Sequence, residues 1–139
     1  MADITVTAAN VSVDTAYPSS LEKGYNAGAT ITAGQAVYLD SSNEWQLSDA
    51  NGAAALRTVA GVALHASLDG QPLVVALPPT VLNIGATVAV GTIYVSSGTA
   101  GGIGPSTDLV TGWYTTIVGV ALTAAKLRLI CYASGVAVP

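Results

Sequence analysis

The chain has 139 residues, of which 51% are apolar, four are Lys or Arg and eight are Asp or Glu. Its length fits a single domain, and a net charge of -4 with only four cations excludes the clustered positive charge that nucleic-acid binding requires. The single cysteine, Cys131, and the single histidine, His65, exclude an intramolecular disulfide, a multi-cysteine zinc site and a histidine-rich metal site.

The shortage of charge predicts contact with other protein chains. About a quarter to a third of the residues on a soluble surface are usually charged, whereas this chain has four cations and eight anions in all. Part of a monomer's surface would then be apolar, which is typical of an interaction site. We therefore expect an oligomer or a subunit of a larger assembly. The alternative is an excess of Ala and Gly, which raises hydropathy without forming a patch.

The N-terminal residues predict two short strands. In DITVT, Ile4 and Val6 share one face, and in NVSVD, Val11 and Val13 share one face. Because the parity of the apolar positions changes between the two segments, we expect a bulge or a turn near residues 9–10.

Residues 14–27, DTAYPSSLEKGYNA, predict a loop or an extended arm, since they contain Pro, Ser, Gly and Asn. The chain then divides into N-terminal strands with this arm, residues 1–27, and a β-domain, residues 28–139.

Beyond residue 27, apolar and polar residues alternate at period two, and no long stretch has a helical period. The predicted strands lie at about 28–33, 35–40, 44–48, 58–65, 72–77, 86–90, 92–96, 113–123 and 126–132. DSSNE at 40–44 predicts a hairpin turn, and residues 49–57 predict one or two helical turns capped by Asp49 or Asn51. The predicted fold is all-β, a compact sandwich or a small barrel with at most one or two short helical turns.

The sequence also contains an internal repeat. GATITAGQAVYLDSS at 28–42 aligns with GATVAVGTIYVSSG at 85–98, with Tyr38 on Tyr94 after a one-residue gap, and TVAGVALHA at 58–66 aligns with TIVGVALTA at 116–124. The offsets, 85 − 28 = 57 and 116 − 58 = 58, hold over both blocks. We therefore predict a duplication, with related halves at about 28–77 and 85–132.

Each half carries a glycine in the middle of a predicted strand, Gly61 and Gly119. Glycine at such a position marks a bulge, a close approach of another backbone or a tight corner of a barrel. We expect the barrel corner.

No residue pattern predicts an enzyme. A Ser-His-Asp triad would have to use His65, with Asp69 four residues on, but the chain has no G-x-S-x-G nucleophile elbow. We interpret His65 as an exposed residue at a strand end and Cys131, within LRLICYA, as a buried, inert thiol. The glycine-rich segment 96–108 lacks the Gly-Lys-Ser/Thr ending of a phosphate-binding loop and predicts a surface loop. We expect no enzymatic activity, no cofactor and no bound metal.

Two tryptophans, Trp45 and Trp113, each precede a glycine-centred strand. We predict that they anchor the core or an interface, and a platform that stacks on carbohydrate is the alternative. The N-terminal MADITVTAAN has neither the basic nor the long apolar region of a signal peptide, and no 18-residue apolar span is present. We expect synthesis in the cytoplasm and no membrane partner.

Several of these segments together resemble a known family. ITVTAANV, GATITAGQAVYLDSSNEWQLSDA, RTVAGVAL and GQPLVV are similar to segments of the small head decoration, or cement, proteins of tailed bacteriophages. The similarity covers nearly the whole chain and is carried by Gly-, Ala- and Val-rich motifs. It implies a structural protein on the outer surface of the virion, made in the host bacterial cytoplasm. Such a protein binds the major capsid protein of an expanded shell, often as a homotrimer, and stabilises the shell against the pressure of the DNA.

The resemblance leads to one hypothesis about contacts and one competing function. Residues 2–14, with Ile4, Val6, Val11 and Val13, contact the shell by adding to a sheet edge; alternatively, they are simply the first strands of the domain. The competing function is a carbohydrate- or receptor-binding β-module on a virion or cell surface, which would use Trp45, Trp113 or the tyrosines.

Overall fold

The computed structural model describes residues 3–139. Its strands are β1 (Val11–Val13), β2 (Ser20–Glu22), β3 (Asn26–Ala27), β4 (Ala36–Leu39), β5 (Glu44–Leu47), β6 (Gly61–Ala63), β7 (Val75–Leu77), β8 (Val81–Ile84), β9 (Ile93–Ser96), β10 (Ile103–Pro105), β11 (Tyr114–Ala121) and β12 (Lys126–Ala137). Short 3₁₀ turns lie at Ala8–Asn10, Ala54–Arg57 and Ser106–Asp108 and supply all the helical structure of the described residues.

The strands form two six-stranded sheets that pack against each other. Sheet A has the order β1-β8-β12-β11-β9-β10, and sheet B has the order β2-β7-β6-β4-β5-β3. Neighbouring strands are antiparallel except β3 and β5, which are parallel. The predicted all-β fold is confirmed, and of the two architectures it is the sandwich, because neither sheet closes on itself.

The two sheets repeat one arrangement of strands. The order β7-β6-β4-β5 in sheet B corresponds to β12-β11-β9-β10 in sheet A. The paired residues correspond as well: Ala36 pairs with Val62, and Ile93 pairs with Val120. The offsets are 93 − 36 = 57 and 120 − 62 = 58, which agree with the offsets of the sequence repeat.

This register corrects one detail of the alignment. An offset of 57 without a gap runs from residue 28 to residue 39, so Tyr94 takes the place of Val37 rather than that of Tyr38. The alignment followed the identity of two tyrosines, whereas the strand pairing fixes which residues share a position. Aligning Tyr94 with Tyr38 is therefore wrong.

The two mid-strand glycines allow a neighbouring strand to approach closely. A Cβ on Gly61 would collide with the carbonyl oxygen of Ala76 on β7, and a Cβ on Gly119 would collide with that of Arg128 on β12. Strand β11 also shifts register at Gly119. The expected barrel corner is wrong, because both sheets are open. Glycine is needed at both positions because the backbone of a neighbouring strand approaches closely.

Two cores stabilise the sandwich. The main core lies between the sheets and includes Tyr94, Leu127 and Leu129 of sheet A with Ala36, Val62 and Ala76 of sheet B. The second core lies on the outward side of sheet B around Val37 and Trp45. Residues 25–33 and 66–73 cover it, joined to each other by bridges such as Ile31 to Ser67.

The two halves are stacked in the same orientation, so that equivalent sides of sheets A and B point in the same direction. In sheet B the cross-strand row Ala36, Val62 and Ala76 faces sheet A. The equivalent row in sheet A is Ile93, Val120 and Arg128, and it faces away from sheet B, since the alternate residues Tyr94 and Leu129 lie in the main core. The outward side of sheet A is covered only in part: Val81 and Val95, the cross-strand partners of Arg128 and Ile117, are 0% and 2% exposed, whereas Ile93 is 41% exposed.

Several local predictions can be compared with the structure. The DSSNE hairpin is confirmed: Asp40 Oδ1 accepts hydrogen bonds from the backbone N–H groups of Ser42 and Glu44. The predicted caps are wrong, because the turn Ala54–Arg57 has no side-chain cap, and Asp49 Oδ1 instead accepts from the N–H of Asn51.

The strands predicted at 28–33 and 86–90 are wrong, and only an isolated bridge forms at Ile31. Strands β2 and β3 of sheet B lie inside residues 14–27, which were predicted as a loop or an extended arm. Strand β8 was not predicted either, and β10 lies inside the segment that was predicted as a surface loop. Strands β8 and β10 are flanked by Pro or Gly, which obscures the period-two signal in the sequence.

Candidate interaction surfaces

The apolar side chains of the N-terminal segment face the domain. Ile4 and Val13 pack against the main core, Val11 is 9% exposed, and Val6 lies against Gly34. Residues 3–7 form no strand, so the strand predicted at DITVT is wrong, while the turn expected near residues 9–10 is confirmed by the 3₁₀ turn Ala8–Asn10.

Backbone hydrogen bonds hold this segment along the end of sheet A. The N–H of Ile4 donates to the carbonyl of Ile103 at 2.9 Å, and the N–H of Thr7 donates to that of Gly85 at 2.7 Å. Ser97 Oγ donates to Asp3 Oδ2 at 2.8 Å. The segment is therefore part of the folded domain, and its four apolar side chains are used within it.

The opposite side of the N-terminal segment is open and polar. A groove of about 710 Å³ lies between the N-terminal segment and the end of β8, on the side where Ser12 of β1 lies beside Asn83 of β8. It is lined by Thr5, Thr7, Ala9, Asn10, Ser12, Asn83, Gly85, Ala86, Thr87 and Ala125. We call this surface the N-terminal groove. Because β1 pairs only with β8, its other edge can accept a strand from a partner.

An ion pair ties the end of β1 to the start of β12. Lys126 Nζ lies 2.7 Å from Asp14 Oδ2. The hydrogen bond from Lys126, together with that from the N–H of Ala16, lowers the pKa of Asp14 below its ordinary value of 3.8. The same contact raises the pKa of Lys126 above 10.5.

The two tryptophans occupy different environments. Trp45 is 2% exposed at the centre of the second core, where its ring meets that of Tyr25 edge-on at a centroid distance of 6.4 Å. Trp45 thus anchors a core, and a carbohydrate cannot stack on it. Trp113 is half-buried and packs over Gly98. It lines a groove of about 570 Å³ together with Asp3, Ile4, Thr5, Ser97, Thr99, Gly104, Pro105 and Asp108.

The outward side of sheet A is an apolar surface, which we call the open face and define as Ile93, Ile117, Val120, Ile130 and Tyr132. Strand pairing places Tyr132 beside Ile117, and Ile93 beside Val120. Ile93 is 41% exposed, Ile130 43% and Tyr132 62%. Arg128, the cross-strand partner of Val120, is exposed on the same side of the sheet, and its guanidinium lies 5.5 Å from the ring of Tyr17.

The last strand adds an unpaired backbone edge to the open face. Strand β8 pairs only with residues 126–128 of β12, and residues 130–137 have no strand of the described chain on that side. Val136 in this stretch is 64% exposed. The sequence analysis missed both features, although the uncharged run LICYASGVAVP from 129 to 139 is the signal that indicates them.

The residues considered for catalysis do not assemble into a reactive site. The N–H of Val74 donates to His65 Nε2 at 3.0 Å, and His65 Nδ1 lies 2.9 Å from the carbonyl oxygen of Ala66. Both ring nitrogens therefore contact backbone, at the exposed strand end that the sequence predicted. Burial raises the pKa of the Cys131 thiol to about 12, which leaves it without nucleophilic character near neutral pH.

Within residues 3–139, no three His, Cys, Asp or Glu side chains come close enough together to hold a metal ion. The same residues include no helix that is long and apolar enough to cross a membrane.

Comparisons with protein-family models, with curated proteins and with solved structures each gave no match for this chain. The surfaces described above are therefore interpreted from their own geometry.

Proposed function

We propose that this chain is a structural virion protein that binds the outside of an expanded phage capsid and stabilises it. It is proposed to act as a homo-oligomer, a trimer according to the family resemblance, on the major capsid protein. The observation that carries the proposal is the open face. A rigid two-core sandwich that leaves apolar side chains of one sheet uncovered is suited to permanent contact with other proteins.

The resemblance of the sequence segments to cement proteins indicates that the proposed assembly is a phage capsid. A subunit that works among neighbours in a shell needs few charges to remain dispersed, which agrees with a chain of four cations and eight anions. Many modest contacts repeated by the symmetry of the shell then give a firm attachment through avidity.

For the contact with the shell we propose the N-terminal groove. Ile4, Val11 and Val13 hold residues 3–13 on the domain, so the hypothesis that these side chains contact the shell is replaced by one in which their polar neighbours do. Thr5, Thr7, Asn10 and Ser12 are exposed beside the free edge of β1. An extended segment of the shell protein would pair with this edge.

The test uses phage heads stripped of the protein, with unexpanded precursor shells as the comparison. We expect saturable binding to expanded heads, at a copy number that matches sites of the lattice, and a higher melting temperature of the heads. Weak, unsaturated binding to both kinds of particle would contradict the proposal.

A pair of variants tests the groove. Thr5→Lys with Asn10→Lys places two long charged side chains in it, and we expect head binding weaker by about tenfold or more. The matched control is Thr30→Lys with Ser41→Lys, two exposed positions outside the groove. Equal binding by the two double variants, both with wild-type circular dichroism, would exclude the groove as the contact.

The groove at Trp113 supports a second candidate function, a carbohydrate- or receptor-binding module. A half-buried indole beside the carboxylate of Asp3 combines a stacking surface with a hydrogen-bond acceptor for hydroxyl groups. Binding of the isolated protein on a glycan array, lost in Trp113→Ala, would favour this function. Trp45→Ala is no substitute in this test, because it removes a core side chain.

A further inference from the structure

We infer that the open face of sheet A and the free edge of β12 join one copy of this chain to a second copy. The inference deepens the proposed function, from which it takes the oligomer, and it assigns the contact between copies to a surface. The N-terminal groove then remains available for the shell.

The internal repeat indicates what kind of surface covers the open face. In sheet B the row Ala36, Val62 and Ala76 is completely buried, at 0% exposure, by the apolar surface of sheet A. The equivalent row of sheet A is Ile93, Val120 and Arg128, and it is not buried in this way, since Ile93 is 41% exposed and Arg128 is exposed as well. Equivalent positions of the two halves therefore differ in their surroundings. Those of sheet B are buried against an apolar layer, and those of sheet A are not.

The free edge of β12 provides the backbone part of the contact. Its counterpart in the first half, β7, has three residues, whereas β12 has twelve. Residues 130–137 carry no charged side chain and no proline, which are the usual means by which exposed strand edges avoid pairing. Positive φ angles at Cys131 (53°) and Gly135 (72°) bend the strand, Ser134 Oγ accepts from the N–H of Val136 at 3.1 Å, and β8 pairs only with residues 126–128.

The charge distribution favours an identical partner. None of the eight Asp and Glu residues lies on β8, β9, β11 or β12. Two copies can therefore meet through this surface without bringing carboxylates together, although each carries a net charge of -4. The charged side chain of this cross-strand row, Arg128, lies 5.5 Å from the ring of Tyr17 of the same copy.

The exposed apolar area of the open face is consistent with a second copy of the chain as the partner. Multiplying the exposed fractions of Ile93, Ile130, Tyr132 and Val136, 41 to 64%, by typical side-chain areas gives on the order of 400 Å² of apolar surface. A standard interface buries about 800 Å² on each partner. The backbone edge of β12 and the partly buried side chains of Ile117 and Val120 supply the rest of the area that a standard interface buries.

The experiment measures mass by light scattering over roughly 1 to 100 μM protein in the absence of phage heads. We expect the wild-type mass to be a multiple of 13.8 kDa. The double variant Ile130→Lys with Tyr132→Lys should remain a folded monomer, since both side chains are largely exposed within one copy. The matched control, Leu21→Lys with Leu68→Lys, changes two exposed apolar residues on the side of sheet B and should keep the wild-type mass.

Hydrogen exchange gives a second readout that does not depend on substitution. Backbone amides of residues 130–137 should exchange at least about tenfold more slowly in concentrated than in dilute wild-type protein. A wild-type monomer at the highest concentration, or an Ile130→Lys, Tyr132→Lys variant with the wild-type mass, would overturn the inference. Head binding by a wild-type monomer would overturn the inference and the proposed homo-oligomer but leave the proposed binding to the capsid standing, so the two can fail separately.

Discussion

At the scale of single residues, Gly61 and Gly119 determine how the repeat is built. Each sits where the carbonyl oxygen of an adjacent strand, from Ala76 or Arg128, occupies the space of a side chain. The sequence repeat identified both glycines as equivalent, but their role depends on a neighbouring strand far along the chain. Sequence alone could not distinguish close backbone approach from a barrel corner, because both require glycine in the middle of a strand.

We predict that Gly61→Ala and Gly119→Ala each lower the free energy of unfolding by about 1 to 3 kcal/mol, since the new methyl group forces two strands apart. Gly24→Ala is the control, because its Cβ would meet only the flexible carboxylate of Glu22; a change within about 0.5 kcal/mol is expected. Urea denaturation followed by circular dichroism measures all three. Wild-type stability of both test variants would show that the strands do not need this approach.

Cys131 gives a second prediction at this scale. Because burial raises the pKa of the thiol to about 12, an aromatic disulfide reagent at pH 8 should label the native protein at least about 100-fold more slowly than the urea-unfolded protein. Rapid, complete labelling of the native protein would instead indicate that the bend in β12 opens readily.

At the scale of elements, two short predicted strands agree closely with the structure. Strand β5, whose residues EWQL alternate, lies within the predicted 44–48, and β9, whose residues IYVS form a short apolar run, lies within 92–96. Strand β8 was missed because Pro79 and Gly85 flank a nearly continuous apolar run, and β10 because glycines surround Ile103. The alternation of apolar and polar residues also does not show which face of a strand a second layer will cover, so the open face could not be predicted from the sequence.

The pairing of β1 with the rest of sheet A is reinforced by the Asp14–Lys126 ion pair. The pKa of Asp14 is lowered in the folded protein, so this pair contributes stability above pH 3.8 and loses it as the pH falls below that value. The pKa of Lys126 is raised, so the contribution is also lost as the pH rises through the folded-state pKa of Lys126, above 10.5.

We therefore expect Asp14→Asn to lower the melting temperature at pH 7, and the difference from wild type to shrink at pH 3, below the ordinary pKa of 3.8. Asp69→Asn, at an exposed position in a loop, serves as the control and should melt like wild type at both values. A difference between Asp14→Asn and wild type that stays constant from pH 7 to pH 3 would show that the ion pair is not its cause.

At the scale of the whole molecule, sheet B belongs to both cores and joins them into one unit. Val62 contributes to the main core and Ala63, its neighbour on β6, to the second core. The all-β class and the repeat were evident in the sequence, whereas the existence of a second core was not, because nothing local indicates that residues 25–33 fold back over β5. Loss of either core should unfold the other.

Single-tryptophan variants test this coupling. Trp113→Phe leaves Trp45 as a reporter of the second core, while far-ultraviolet circular dichroism reports on both sheets. We expect the fluorescence and circular dichroism transitions of Trp113→Phe in urea to coincide, as in two-state unfolding. A fluorescence transition at clearly lower urea would mean that the second core melts on its own.

Because the duplicated halves are stacked in the same orientation, the two ends of the stack are different surfaces. Two layers related by a twofold axis would turn the same side inward and leave two equivalent exteriors, whereas here residues 25–33 and 66–73 cover one end and the other end exposes Ile93, Ile130 and Tyr132. Repeat proteins usually need a cap at each terminus of the stack. The two ends of this stack are therefore not equivalent, and only the end with the exposed apolar side chains can receive a further layer.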